Sequence, residues 1–77
     1  MTAVTQFLSN ATPREVAKVM RVIGLLEEFG QDLGMPHSRH LGAGLLELRV
    51  RGSREIRIMY CFYEDKAFLL TAFVKKA

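Results

Sequence analysis

Cysteines, long apolar runs and secretory signals are scarce or missing in this chain. Cys61 is the single cysteine among 77 residues, so no disulfide can form within the chain. No run approaches the roughly 18 apolar residues of a membrane-spanning helix, and the first residues lack the basic segment and apolar core of a signal peptide. We therefore expect a cytoplasmic protein, in a reducing compartment, without membrane contacts. With 49% hydrophobic and 25% charged residues, residues 1–77 are predicted to form one small domain.

Signatures of cofactor binding are missing as well. No Gly-x-Gly-x-x-Gly or Gly-Lys-Ser/Thr loop is present, which argues against a nucleotide cofactor. His37 and His40 lie three residues apart, but neither a second cysteine nor a pair of carboxylates accompanies them. The sequence therefore predicts no cofactor and no metal ion.

Basic residues are distributed unevenly along the chain. Residues 1–41 carry four basic and four acidic side chains, whereas residues 42–77 carry seven basic and four acidic ones, which accounts for the whole net charge of +3. A positive surface indicates a polyanionic partner, and nucleic acid is the commonest. The alternative is a surface that is simply well solvated.

Helical patterns occupy the first half of the chain. Thr12 and Glu15 flank Pro13 in the arrangement of a capping box, so a helix begins there, and Gly30 ends it. Residues 4–9 are interpreted as a short helix or the remainder of a longer element, and residues 31–44 as a loop. The predicted buried stripe of the main helix consists of Val16, Val19, Met20, Ile23, Leu26 and Phe29.

Alternating apolar residues predict three strands at 45–51, 55–63 and 67–75. We expect an α+β fold in which these strands form an antiparallel meander with the helices on one face. A continuous buried face requires Val50 opposite Ile56 in the first hairpin. The same rule pairs Tyr60 with Leu70 in the second, so that the buried face would continue through Phe68, Leu70, Ala72 and Val74.

The register of the first hairpin places Arg49 directly opposite Arg57 on the other face of the sheet. Because like charges that face each other destabilise a sheet, we infer that an external anion, and not a structural role, accounts for this pair. Phe73 is predicted to lie beside them, where its ring would stack an unpaired base or form a minor apolar cluster. Glu47 and Glu55 are interpreted as cross-strand partners of the arginines.

An uncovered apolar row is also predicted on that face, formed by Leu45, Cys61 and Leu69. Together with an unpaired sheet edge, it suggests a homodimer. Tyr60 falls on the core face, so we expect a buried tyrosine with a satisfied hydroxyl group.

Three segments resemble the phage-related, HigB-like toxins of the RelE/ParE toxin–antitoxin superfamily. They are residues 25–52, which include Glu47-Leu-Arg-Val-Arg51, then Arg57-Ile-Met-Tyr60 and Ala72-Phe-Val-Lys-Lys76. The resemblance extends from about residue 7 to residue 76 and implies a RelE/ParE-like fold. It also implies a ribonuclease that cuts messenger RNA on the ribosome without a metal. The implied partner is a helix-turn-helix, HigA-like antitoxin.

The resemblance implies that the sheet face with its basic residues is the active surface. Arg49, Arg57 and Lys75 are the candidates for catalytic charge stabilisation, and the RNA-binding set adds Arg51, Phe73 and Lys76. His37 and His40 are the candidate acid–base groups. The alternative for both histidines is an exposed position in a loop.

Family members usually have a strand before the first helix and a tail beyond the Phe-Val-Lys-Lys segment, so the chain is interpreted as shortened at both ends. Two alternative functions follow. One is a catalytically inactive module that keeps the toxin fold and binds antitoxin or RNA. The other is a gyrase inhibitor of the ParE type, which the motifs favour less.

Overall fold

A computed structural model describes residues 2–76 of the chain. Helix α1 (Ala3–Ser9) is followed by helix α2 (Pro13–Phe29) and a 3-10 turn at Gly30–Asp32. The strands are β1 (Ser38–Gly42), β2 (Leu45–Val50), β3 (Ile56–Tyr63) and β4 (Lys66–Val74). They form one antiparallel sheet in the order β1-β2-β3-β4. The predicted α+β class is confirmed, with four strands where three were expected.

The additional strand, β1, lies within residues 31–44, so the prediction of a loop there was wrong. Its only buried side chain is that of Ser38, whose hydroxyl group is hydrogen-bonded to the hydroxyl group of Tyr60. The strand is held mainly by backbone pairing, with Ser38 opposite Leu48 and His40 opposite Leu46. Because only one side chain of β1 is buried, its sequence shows no alternation of apolar and polar residues that would predict a strand. The expectation of a buried Tyr60 with a satisfied hydroxyl group is confirmed.

The capping box at the start of α2 is present as predicted. The Glu15 N–H donates to Thr12 Oγ1 at 3.1 Å, and the Thr12 N–H donates to Glu15 Oε1 at 3.0 Å. Gly30 closes the helix with a φ of 55°, a value that favours glycine.

The buried face of α2 differs from the predicted stripe. Val19, Val22 and Leu26 are buried, at the i, i+3, i+7 spacing of one helix face. Met20 is 52% exposed because it lies one residue, or about 100°, away from Val19 around the helix. Phe29, the last residue of the helix, is also exposed. Including these two residues in the core was wrong.

The first hairpin has the predicted register, with Val50 opposite Ile56 and Arg49 opposite Arg57. In the second hairpin the predicted pairing holds only from Ile56 to Met59.

A register shift between Met59 and Tyr60 alters the rest of the second hairpin. Tyr60 lies opposite Leu69 and Cys61 opposite Phe68, so the predicted row of Leu45, Cys61 and Leu69 does not exist. An extra residue in one strand moves the side chains beyond it to the opposite face of the sheet. Leu69 therefore packs against the core, whereas Phe68 and Leu70 are 45% and 46% exposed. Their predicted burial was wrong.

The core lies between the two helices and one face of the sheet. Its buried apolar residues are Val4, Val19, Val22, Leu26, Leu33, Leu46, Leu48, Val50, Ile56, Ile58 and Tyr60. No helix within residues 2–76 is long and apolar enough to cross a membrane.

Candidate functional site

Arg57 is part of the folded sheet and is only 3% exposed. Its Nε lies 3.4 Å from Glu47 Oε1 and its Nη1 lies 3.3 Å from Glu55 Oε2. Nη1 also donates to the Ile56 carbonyl oxygen at 3.4 Å. The expectation that Arg57 lies on an open face without a structural role was therefore wrong. The pair with Glu47 is the expected cross-strand contact, while Glu55 lies two residues before Arg57 in the chain.

Arg49 lies opposite Arg57 but has different surroundings. Its Nη1 donates a long hydrogen bond to the thioether Sδ of Met35 at 3.9 Å. Its buried Nε, like that of Arg57, has no hydrogen-bond partner among residues 2–76. No carboxylate of residues 2–76 forms an ion pair with it. Of the two facing arginines, one is thus compensated by the fold and the other is not.

An open pocket of about 210 Å³ lies where β2 ends beside α2. Its basic lining consists of Lys18, Arg21, His37, Arg49 and Arg51, and its apolar lining of Val22, Leu25, Pro36 and Val50. We call it the cationic pocket. His37, Arg49 and Arg51 were predicted as site residues, whereas Lys18 and Arg21 were missed. The sequence feature that could have identified Lys18 and Arg21 is their spacing of three residues, which places both cations on one face of the helix.

The two histidines have different positions. The carbonyl oxygen of His37 accepts a hydrogen bond from the Arg49 N–H at 2.8 Å, and the His37 N–H donates to the Gly34 carbonyl oxygen at 3.1 Å. These bonds fix His37 immediately before β1, half-buried in the lining of the cationic pocket. His40 is exposed within β1 and does not line the pocket. The structure therefore brings His37, and not His40, to Arg49.

The cationic pocket carries uncompensated charge. Within the described part of the chain, the ion pairs join Arg54 to Glu15 and Arg57 to Glu47 and Glu55. None of them involves a basic residue of the pocket. Such a cluster is favourable only when an anion or solvent offsets the mutual repulsion, so the pocket is suited to an anionic ligand.

A partly buried ion pair supports the rim of the pocket. Arg54 donates two hydrogen bonds to Glu15, from Nε to Oε2 at 2.7 Å and from Nη2 to Oε1 at 2.9 Å. The Arg54 guanidinium and the Thr12 N–H lower the pKa of Glu15 from 4.5 to about 2. This contact joins the first turn of α2 to the β2–β3 loop, whose first residue, Arg51, lines a small cavity together with Lys18.

The remaining predicted residues lie on the β4 side of the sheet. Phe73 lies opposite Arg57 and is 41% exposed, so the predicted row of Arg49, Arg57 and Phe73 exists. The Lys75 N–H donates to the Glu55 carbonyl oxygen at 2.7 Å. Lys75 and Lys76 are both exposed at the end of this row. Residues 2–76 contain no group of three or more His, Cys, Asp or Glu side chains placed to hold a metal ion.

Comparison with known proteins identifies the family of this chain. Residues 6–77 match the family described as phage-derived protein Gp49-like (DUF891). The chain belongs to this family. The Gp49-like family is a family of RelE/HigB-like toxins, so the resemblance found in the sequence is confirmed at this level. Comparisons with curated proteins and with solved structures found no match.

Proposed function

We propose that this Gp49-like protein is the toxin of a type II toxin–antitoxin system and acts as a HigB-like endoribonuclease on ribosome-bound messenger RNA. One observation carries the proposal: in a member of a toxin family, Arg49, Arg51 and His37 line a pocket whose basic side chains form no ion pair with any carboxylate of residues 2–76. Guanidinium groups suit this role because they bind phosphate oxygens through paired hydrogen bonds.

The proposed reaction is attack of a ribose 2′-oxygen on the neighbouring phosphorus. The 2′-hydroxyl loses its proton, a cyclic 2′,3′-phosphate forms, and the 5′-oxygen leaves with a proton. Arg49 and Arg51 would stabilise the extra negative charge on the phosphorane. His37 is the candidate for proton transfer, since an imidazole changes charge near neutral pH. No cofactor or metal ion takes part in this scheme.

The other predicted residues have supporting roles in the proposal. Arg57 holds Glu47 and Glu55, so it would contact a phosphate only after one carboxylate had moved away. We therefore propose that Arg57 acts as a positioning residue, which holds in place the part of the sheet that carries Arg49. Phe73 would stack a base of the bound strand, and Lys75 and Lys76 would attract its backbone. His40 is exposed, and its role would be limited to RNA contact.

The proposal includes partners and location. A toxin of this kind acts in the cytoplasm and is silenced by a helix-turn-helix, HigA-like antitoxin. In the absence of antitoxin we propose a homodimer formed through β4. This strand is an edge of the described sheet and exposes Phe68 and Leu70, and exposed apolar edge strands tend to pair.

Induced expression tests the proposal in cells. The protein should arrest growth, and messenger RNA should be cut within codons. Arg49→Gln should relieve the arrest. Lys66→Gln, which removes one positive charge from the exposed first residue of β4, serves as the control and should remain toxic. Normal growth at high levels of the unaltered protein would contradict the proposal.

The burial of Arg57 favours one alternative, a non-catalytic module that binds RNA or antitoxin. Its two carboxylate partners reduce the charge available at the centre of the predicted active surface. The alternative predicts RNA binding without strand scission. Incubation of translating ribosomes with the protein distinguishes the two, because only the toxin leaves shortened messenger RNA.

A further inference from the structure

Two basic side chains of α2 line the cationic pocket, although they are not among the candidate site residues predicted from the sequence. Lys18 and Arg21 are both exposed and are three residues apart, so they share one face of the helix. They line the same pocket as Arg49 of β2 and Arg51 of the β2–β3 loop. The positive surface thus continues from the sheet onto the helix.

Neither residue has a partner that would explain its position. Among residues 2–76, no ion pair joins Lys18 or Arg21 to a carboxylate. Like charges at this spacing destabilise a helix. Arg54, by contrast, lies close by and is bound by Glu15. The nearby acidic side chain is therefore already occupied, and the pocket cations remain free for a ligand.

Gly52 leaves room for the Lys18 ammonium group. A Cβ atom added at Gly52 would lie 3.0 Å from Lys18 Nζ, which is closer than most such contacts. Lys18 and Arg51 also line a smaller cavity of about 30 Å³ beside this loop, together with Arg14. Lys18 and Arg51 therefore line both the cationic pocket and the smaller cavity beside the β2–β3 loop.

The lining of the pocket indicates the class of ligand. Val22, Leu25 and Pro36 contribute apolar surface beneath the cations, which suits ribose and bases better than an inorganic ion. Glu27, near the end of α2, and Asp65, in the β3–β4 turn, line a separate pocket together with Lys66.

We propose that the cationic pocket binds the backbone of single-stranded RNA, and that Lys18 and Arg21 contact phosphates next to the one held by Arg49 and Arg51. This inference rests on the proposed function and extends its RNA-binding surface onto α2. The two helix residues bind and position the strand and take no part in the cleavage chemistry.

Binding of a short 2′-O-methyl oligoribonucleotide tests the inference, because that strand cannot be cleaved by its own 2′-oxygen. Fluorescence anisotropy should show about tenfold weaker binding for Lys18→Gln/Arg21→Gln. In a plot of the logarithm of the RNA association constant against the logarithm of the salt concentration, the slope should become less steep by about 1.4, because each lost phosphate contact contributes about 0.7 for single strands. The control Arg39→Gln/Lys66→Gln removes the same two charge types outside the pocket and should change neither quantity.

A charge-neutral variant provides a second measurement. Gly52→Ala should displace the Lys18 side chain and weaken binding in the same direction by a smaller factor, while the net charge stays constant. Inorganic phosphate at matched ionic strength should not displace the RNA. If it did so with the unaltered protein but not with the double variant, the pocket would be a site for free anions and the RNA assignment would be wrong.

The outcomes separate this inference from the proposed function. Unchanged binding in Lys18→Gln/Arg21→Gln would overturn the inference even if the protein remained toxic. Absence of binding by the unaltered protein would overturn it as well. Reduced binding in a protein that neither arrests growth nor cuts messenger RNA would support the pocket while refuting the ribonuclease.

Discussion

Glu15 accepts two hydrogen bonds from the Arg54 guanidinium, at 2.7 and 2.9 Å, across 39 positions in the chain. The same carboxylate completes the capping box of α2. One acidic side chain therefore joins the start of the helix to the β2–β3 loop and supports the rim of the cationic pocket.

The first prediction concerns this carboxylate and pH. Arg54 and the Thr12 N–H lower the pKa of Glu15 from 4.5 to about 2. A depressed folded-state pKa stabilises the protein above the unfolded-state value, and that stabilisation is lost as the pH falls from about 4.5 to about 2. Urea unfolding should show that Glu15→Gln is less stable than the unaltered protein at pH 7, with a smaller difference at pH 3. Glu28→Gln, at an exposed position of α2, should show no such pH dependence. An equal difference at both pH values would contradict the assignment.

The second prediction separates the two facing arginines. Arg57→Gln should lower the free energy of unfolding by about 1–3 kcal/mol, because Glu47 and Glu55 would lose their buried partner. Arg49→Gln should leave stability unchanged or raise it by about 0.2–1 kcal/mol, since it removes a like charge opposite Arg57. Chemical denaturation measures both variants. Equal stability changes in the two would show that the ion pairs do not hold Arg57 in solution.

The third prediction concerns the hydroxyl contact between Ser38 and Tyr60. Tyr60→Phe should cost about 1–2 kcal/mol because the Ser38 hydroxyl would be left buried without its partner. The double variant Ser38→Ala/Tyr60→Phe should cost less than the sum of the two single changes. Additive effects in denaturant unfolding would indicate that the two hydroxyl groups are not coupled.

The fourth prediction concerns assembly. Phe68 is largely exposed on β4, so Phe68→Lys should leave the fold intact and weaken pairing between copies. Light scattering should give about twice the chain mass of 8.7 kDa for the unaltered protein and a single-chain mass for the variant. A single-chain mass for the unaltered protein at high concentration would refute the homodimer.

The sequence predicted the first hairpin because apolar and polar residues alternate from residue 46 to 50 and from residue 55 to 58. It could not predict the strand pairing of the second hairpin beyond Met59. Residues 67–70 are all apolar, so no alternation indicates which of them face the core. The bulge that turns Leu69 inward is decided by packing against the core. β1 was missed for a related reason, since its pairing depends on backbone groups and on one buried serine.

The candidate site was predictable in part. Strand register alone placed Arg49 opposite Arg57, and the motif residues included Arg51. The burial of Arg57 depends on how Glu47 and Glu55 approach it, which alternation does not reveal. Lys18, Arg21 and His37 reach Arg49 only through the packing of α2 and β1 against β2, and no local pattern specifies that contact.

Mapping messenger RNA ends in a purified translation system tests the central claim most directly. With the unaltered protein we expect new ends within codons that appear only while ribosomes translate. Arg49→Gln should slow their appearance by at least about tenfold, as expected for loss of a charged group that stabilises the transition state. Intact messenger RNA and normal translation in the presence of excess protein would contradict the account.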